Sequence, residues 1–257
     1  MRLFTIFAFN FSILLIFLSH TYAQVNIEKF RDKEKKKDFS GYVELDLSSR
    51  TGNVDITKIN FENLNNYIWK SMNTFLVIRS ALGWEDGEQY INEGLIHLRQ
   101  VFRSGADLQP EIFAQTDYNK ERHLSFRGLI GGGLRFSIYK SKKTELWWGT
   151  DIMQEYERLD LKKNNGNEKV DNITRWSNYL AANIIFNENV RLTWTTYFQP
   201  YISDFKDIRI LSEKGMLVGL NKHLSLDIAF RMRYDSQPPK DTKSLDTALK
   251  TGLVLHF

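Results

Sequence analysis

From Leu245 to the carboxyl end the chain alternates without a break. Leu245, Thr247, Leu249, Thr251, Leu253, Leu255 and Phe257 form one set, and Asp246, Ala248, Lys250, Gly252, Val254 and His256 form the other. A period of two puts the sets on opposite sides of a strand. One face is apolar, the other carries charges, and the chain ends on an aromatic residue. That combination suits the closing strand of a β-barrel in a bacterial outer membrane, where outward side chains meet lipid and inward ones meet the lumen. Leu253, Leu255 and Phe257 are then the expected signal for the barrel-assembly machinery.

The amino end agrees independently. Met1-Arg2 is a short basic start, Leu3–Leu18 is almost wholly apolar, and Ser19–Ala23 ends in a small residue. This is the pattern of a secretory signal, with cleavage expected between Ala23 and Gln24. The apolar run is shorter than the roughly 20 residues a helical span needs. The chain contains no Cys, so neither a lipid-anchored cysteine, a disulfide nor a thiolate metal site is expected.

No second long apolar run occurs, although 42% of residues are apolar and mean hydropathy is −0.40. Helical membrane proteins are excluded by this, whereas a barrel with a polar lumen tolerates it. Aromatic residues make up 14% of the chain, which suits aromatic girdles at two membrane interfaces. A soluble all-β domain is the alternative fold. The net charge of +4 is carried by no dense basic stripe with interleaved aromatics, so nucleic acid is not an expected partner.

Alternation and turn residues divide the rest into strands. The expected spans are Ser40–Ser49, Val54–Trp69, Asn73–Trp84, Gln89–Phe102, Pro110–Tyr118, Arg122–Tyr139, Glu145–Leu159, Ile173–Phe186, Val190–Tyr201, Asp207–Leu220, Leu224–Asp235 and the closing strand. Pro110 is expected at a strand start, where only the first ladder donor is lost. The reading is therefore an all-β, antiparallel transmembrane barrel of about 12 strands, with ten or fourteen as alternatives. Residues 1–23 form the signal, 24–39 a charged periplasmic tail, and 40–257 the barrel. An even strand number puts both termini in the periplasm of a Gram-negative bacterium. Loops at Arg50–Asn53, Glu85–Glu88, Tyr118–Glu121, Leu161–Asp171, Ser203–Lys206 and Gln237–Thr242 then lie outside, and all are short.

Several segments carry a family resemblance. They are Val43-Glu44-Leu45-Asp46-Leu47-Ser48 with Thr51–Asp55, Ser212–Gly215 leading to Leu224-Ser225-Leu226, and above all Arg231–Pro239 followed by Thr242–Phe257. These resemble the outer-membrane family known as domain of unknown function 481, some members of which are called salt-induced outer membrane proteins. The resemblance spans Ser40–Phe257, and the closing hairpin is its specific part. The chain departs from the pattern in a bulkier middle, as at Trp147-Trp148. The resemblance implies an outer-membrane barrel and transfers no catalytic or binding residues.

Chemistry must therefore come from the lumen. Alternation points Glu44, Asp46, Lys58, Glu62, Glu93, His97, Arg99, Arg127, Arg135, Asp151, Glu155, Glu157, Arg209, Glu213, Asp227, Arg231, Arg233, Asp235, Asp246 and Lys250 inward. Isolated buried charge is very costly, so these groups must pair or stay hydrated. The expectation is a structural or stress-related envelope barrel whose charges fill the lumen. The alternative is a narrow channel for small solutes. A lipid-modifying enzyme is the third reading, with His123 and Ser125 on one face near the outer rim. No Gly-x-Ser-x-Gly elbow supports it. Gly131-Gly132-Gly133 opens no helix, so it reads as a bend or close packing and not as a nucleotide loop. No metal site and no cofactor are expected. The partners expected are outer-membrane lipid and, during biogenesis, the barrel-assembly machinery, with a monomer as the favoured state.

Overall fold

The computed structural model describes residues 38–69, 71–103, 107–160, 169–239 and 242–256. Twelve strands follow one another: β1 Asp38–Arg50, β2 Ile56–Trp69, β3 Met72–Glu85, β4 Glu88–Phe102, β5 Leu108–Asn119, β6 Leu124–Lys140, β7 Thr144–Leu159, β8 Lys169–Ile185, β9 Val190–Tyr201, β10 Asp204–Gly219, β11 Leu224–Asp235 and β12 Leu245–His256. Each pairs antiparallel with its sequence neighbours, and β1 meets β12 to close the barrel. Closure gives every strand a hydrogen-bonded neighbour on each side, which is how a β-structure can cross lipid, although the β1–β12 ladder holds only three pairs among the described residues. Both ends of the described chain lie at one rim, here called the terminal rim; the opposite one is the far rim.

The expected strand number holds, and several boundaries move. β1 begins at Asp38, so the barrel starts two residues before the expected Ser40. β8 begins at Lys169 and not at Ile173, because its ladder continues from Asn172↔Tyr156 to Lys169↔Leu159. Lys169–Asn172 offers a single apolar residue, Val170, which is too little for alternation to reveal. β6 begins at Leu124, because Lys120–Arg122 form a 3-10 turn. The Asn119 side-chain oxygen caps that turn by accepting from the Arg122 amide at 2.9 Å. β10 begins at Asp204, which leaves only Ile202 and Ser203 to turn from β9. Pro110 is the third residue of β5, opposite Leu134, and not at its start. The signal, its cleavage pair Ala23 and Gln24, the tail through residue 37 and the terminal Phe257 lie outside the described residues.

The outward face is apolar and exposed, with Leu47 at 69%, Leu249 at 68% and Ile130 at 66%. Aromatic pairs mark two levels on one hairpin. Phe136 stacks on Trp148 at 5.4 Å toward the terminal rim, and Phe126 meets Tyr156 at 6.1 Å toward the far rim. Phe126 and Phe136 are ten residues apart on β6. At about 3.3 Å per residue and a tilt near 40°, they are about 25 Å apart in height, which matches the apolar band of outer-membrane barrels.

The three central glycines of β6 serve close packing. A Cβ on Gly133 would collide with the Thr150 carbonyl and lie 2.6 Å from the Asp151 carboxylate, and one on Gly131 would lie 2.6 Å from Phe113. Strands β5, β6 and β7 can therefore bring large inward side chains together behind β6.

Candidate functional site: the barrel lumen

Inward positions run along every strand, so closure converts twelve separate faces into one interior. Its far half is a network of ion pairs built around Arg209 of β10. The Arg209 guanidinium donates to Glu155 at 2.7 and 2.8 Å, to Glu157 at 3.2 Å and to Asp235 at 3.0 Å. Arg175 of β8 shares Glu155 at 3.3 Å and grips Asp207 with two nitrogens at 3.0 and 3.1 Å. Arg233 joins Asp235 at 3.1 Å, and Arg127 binds Asp117 at 2.8 Å. Planar guanidinium forks match carboxylates in two places at once, which explains why arginine dominates here.

The network also crosses the interior. Arg209 reaches Glu155 over two intervening strands, β9 and β8. Arg231 of β11 reaches Glu62 of β2 at 3.0 Å over β12 and β1. Arg79 of β3 binds Glu62 at 2.9 Å and comes within 3.8 Å of Glu213 on β10, nearly the opposite wall. Lys250 of β12 sits between Glu44 at 2.9 Å and Asp46 at 3.0 Å. Among the described residues, twelve buried carboxylates face ten buried lysines and arginines. Near parity of charge lets the interior neutralise itself.

Toward the terminal rim the filling changes to apolar and aromatic. Tyr42, Leu64, Phe75, Val77, Leu95, Val101 and Val254 form one buried cluster on the β1–β4 and β12 wall. Trp147, Tyr179, Ala181, Tyr197 and Leu211 form another on the β7–β10 wall. Arg99 and Arg135 link ions to aromatics. Arg99 binds Glu111 at 3.2 Å and lies 4.9 Å from the Phe113 ring centre, while Arg135 lies 4.1 Å from that of Trp147. Cations over aromatic faces are stabilised by the ring quadrupole. The Tyr179 hydroxyl donates to Glu111 at 2.6 Å across β7 and β6. His97 is fully buried; Arg99 donates to its Nε2 at 3.4 Å, so its Nδ1 is the donor to Gln115 at 3.1 Å.

Every inward residue expected from alternation faces the interior. Asp46, Asp246 and Lys250 are half-buried, and the others are buried. Glu93 accepts from Asn119 near the far rim, while Asp151 is buried opposite Gly133 and Ser177. Arg79, Glu111, Asp117, Arg175 and Asp207 belong to the same network and are absent from the sequence-based set. Asp117 was within reach, since β5 buries Glu111, Phe113, Gln115, Asp117 and Asn119 in strict alternation. The inward aromatic layer was not, because both faces of a segment such as Phe75-Leu76-Val77-Ile78 are apolar.

The far rim carries two clefts. One of about 350 Å³ lies over the ion network, lined by residues that include Glu157, Asp207, Arg209 and Pro238. The other, about 790 Å³, is lined by residues that include Tyr90, Tyr118, Glu121, His123 and Ser125. In the second cleft burial pushes the Glu121 carboxyl up to about 7; Lys58 opposes the shift and Asp246 adds to it. Ser125 and His123 do not form the hydroxyl–imidazole pair that the enzymatic reading would need. Ser125 donates to the Arg158 carbonyl at 2.8 Å and accepts from the Arg158 guanidinium at 3.3 Å. A bulge between Leu124 and Phe126 turns Ser125 outward toward β7, away from the expected register.

A closed antiparallel barrel with an apolar belt and a polar interior defines an outer-membrane β-barrel protein. The family model described as "Protein of unknown function, DUF481" matches residues 43–257, and the chain belongs to that family. Among solved structures the chain is similar to the NanC porin, with 12% identity over 85% of this chain and 99% of that one, at a TM-score of 0.50. It is also similar to the translocator domain of the autotransporter NalP from Neisseria meningitidis, with 8% identity over 90% and 91% of the two chains and a TM-score of 0.48. At such identities the likeness is one of fold. No curated protein matches the chain in sequence.

Proposed function

We propose that this protein is a closed-lumen barrel of the outer membrane that acts as a structural or stress-related component of the envelope. The observation that carries this reading is the cross-lumen contact of Arg79 with Glu213, 3.8 Å apart on nearly opposite walls. The ion pairs of the far half and the aromatic layer of the terminal half support it. A pore needs a continuous hydrated path, and charges already paired with each other offer a solute few free partners. In this reading both termini lie in the periplasm, the signal is removed after Ala23, and Leu253, Leu255 and Phe257 mark the last strand for assembly. Outer-membrane lipid is the surrounding partner, and the barrel works as a monomer without a cofactor.

Planar-bilayer recording of the refolded protein tests the reading. The expected result is a silent membrane. Discrete conductance steps would overturn it in favour of a narrow solute channel; the neighbour NanC is named a porin. A lipid-hydrolysis assay with a His123→Ala control addresses the enzymatic reading; no turnover is expected from either form.

A further inference from the structure

Three of the five register shifts in the ladders of the described strands surround the larger far-rim cleft. Between β3 and β4 the pairing steps from Gly83↔Ile91 to Trp84↔Gln89. Between β5 and β6 it steps from Asp117↔Arg127 to Asn119↔Leu124. Between β6 and β7 it steps from Leu124↔Leu159 to Phe126↔Arg158. Tyr90, Tyr118 and Ser125 are among the residues passed over, and all three line the cleft. A bulge re-aims the side chains beside it, and bulges are over-represented next to functional sites.

The cleft is held in shape by its own bonds. Lys120 donates its ammonium to the Gln89 carbonyl, and Asn92 donates to the Gln89 side chain at 3.2 Å. The Asp160 amide donates to the His123 carbonyl at 2.7 Å. These contacts tie β4, the 3-10 turn and the end of β7 into one frame. Tyr118 leans over Gly94, where a Cβ would lie 2.6 Å from the ring. The missing side chain lets the ring rest against the outer wall, with the residue still 42% exposed.

The charge of the cleft is nearly balanced. Lys120 and the Ser125-bound Arg158 stand against Glu88, Glu121 and Asp160. Burial holds the Glu121 carboxyl at about 7, so it is only partly ionised near neutrality. An anion finds no excess of cations there. A tyrosine ring beside planar amides and carboxyls suits a molecule with apolar faces and hydroxyl edges, which is the surface of a sugar. The volume of about 790 Å³ lies in the range of small-ligand sites. We propose that this cleft binds an uncharged oligosaccharide, with Tyr118 as the stacking platform and Gln89, Asn92, Glu121 and His123 around its hydroxyls. Ser125 is already bonded to Arg158, so the site is one of binding and not of cleavage. The sugar is either free or the headgroup of a neighbouring lipid, because Tyr118 and Ser125 face outward. The inference is independent of whether the lumen conducts.

Equilibrium dialysis of the full-length protein, refolded in phosphatidylcholine vesicles, tests the site. The neutral probes are maltotriose, triacetylchitotriose and raffinose, and trigalacturonate is the anionic counterpart. At least one neutral probe should bind saturably, and trigalacturonate more weakly. Tyr118→Ala should weaken the neutral probe about tenfold, as expected for the loss of one ring contact. Tyr118→Phe keeps the ring and should keep most of the affinity, and Ile130→Ala, exposed on the lipid face elsewhere, should change nothing. No saturable binding of any neutral probe, tighter binding of trigalacturonate, or full affinity in Tyr118→Ala would each overturn the proposal. An equal loss in Tyr118→Phe and Tyr118→Ala would remove the stacking platform. Vesicles that also contain galactosyl diglyceride separate the two sources. Loss of trisaccharide binding there assigns the site to a lipid headgroup, and unchanged binding assigns it to a free sugar. Heat-modifiable gel mobility checks that each variant has folded.

Discussion

The two halves of the lumen solve one filling problem with different chemistry. The far half satisfies buried charge with charge, and Arg209 alone serves three carboxylates. The terminal half packs Tyr42, Phe75, Val77, Trp147 and Tyr197, whose cohesion needs no partner of opposite sign. The difference lies in how each fails. Removing one ion leaves others buried and unpaired, so the cost spreads through the network. Removing one ring leaves a cavity, and the cost stays local.

The largest effect is expected at the hub. Arg209→Leu should destabilise the barrel by about 3–5 kcal/mol, measured as urea unfolding in lipid vesicles, because Glu155, Glu157 and Asp235 lose their shared cation. The paired change Arg127→Met/Asp117→Leu should cost less than either single change, since it removes both charges together. If the pair costs as much as the two single changes summed, the far half is not held by mutual neutralisation. Phe75→Ala in the other half should cost about 3 kcal/mol. A charged network would couple such a loss to Arg79 or Arg99, whereas an apolar cluster predicts additivity with distant far-half variants. Gly133→Ala should cost about 1–3 kcal/mol by forcing β6 away from Thr150.

The far rim adds a dependence on pH. A carboxyl near 7 in the folded barrel titrates near 4.3 when unfolded, so the folded state holds the Glu121 proton more tightly. That contribution to stability is complete below about pH 4 and is lost as pH rises through about 7. Glu121→Gln should therefore flatten the stability profile between pH 5 and 8, with the variant gaining on the wild type as pH rises. The smallest effect is expected at Lys169–Asp171, a 2.9 Å pair whose side chains stay 60% and 35% exposed. Lys169→Ala should change stability by less than about 0.5 kcal/mol.

Much of the far half was legible in the sequence. Leu224 to Asp235 alternates cleanly, so Arg231, Arg233 and Asp235 could be assigned inward from spacing alone. Arg79 and Arg175 were harder, because they sit among residues that are apolar or polar on both faces. The terminal half was largely illegible. Phe75 and Val77 point inward, Leu76 and Ile78 point to lipid, and hydropathy cannot distinguish two kinds of burial. The turn at Lys120–Arg122 was missed for a different reason, since a short cap by Asn119 leaves no periodic trace.

The sequence by itself determined the strands, their two faces and the barrel they close into, because alternation is a local property of an extended chain. Only the tertiary structure decided what meets inside. Arg79 faces Glu213, Arg231 faces Glu62 and Tyr179 faces Glu111 across two to four intervening strands, and such meetings depend on barrel closure and stagger. The same holds for the β1–β12 seam. β12 announces itself in every residue from Leu245 to Leu255, yet its short ladder with β1 follows from how twelve tilted strands come round to meet.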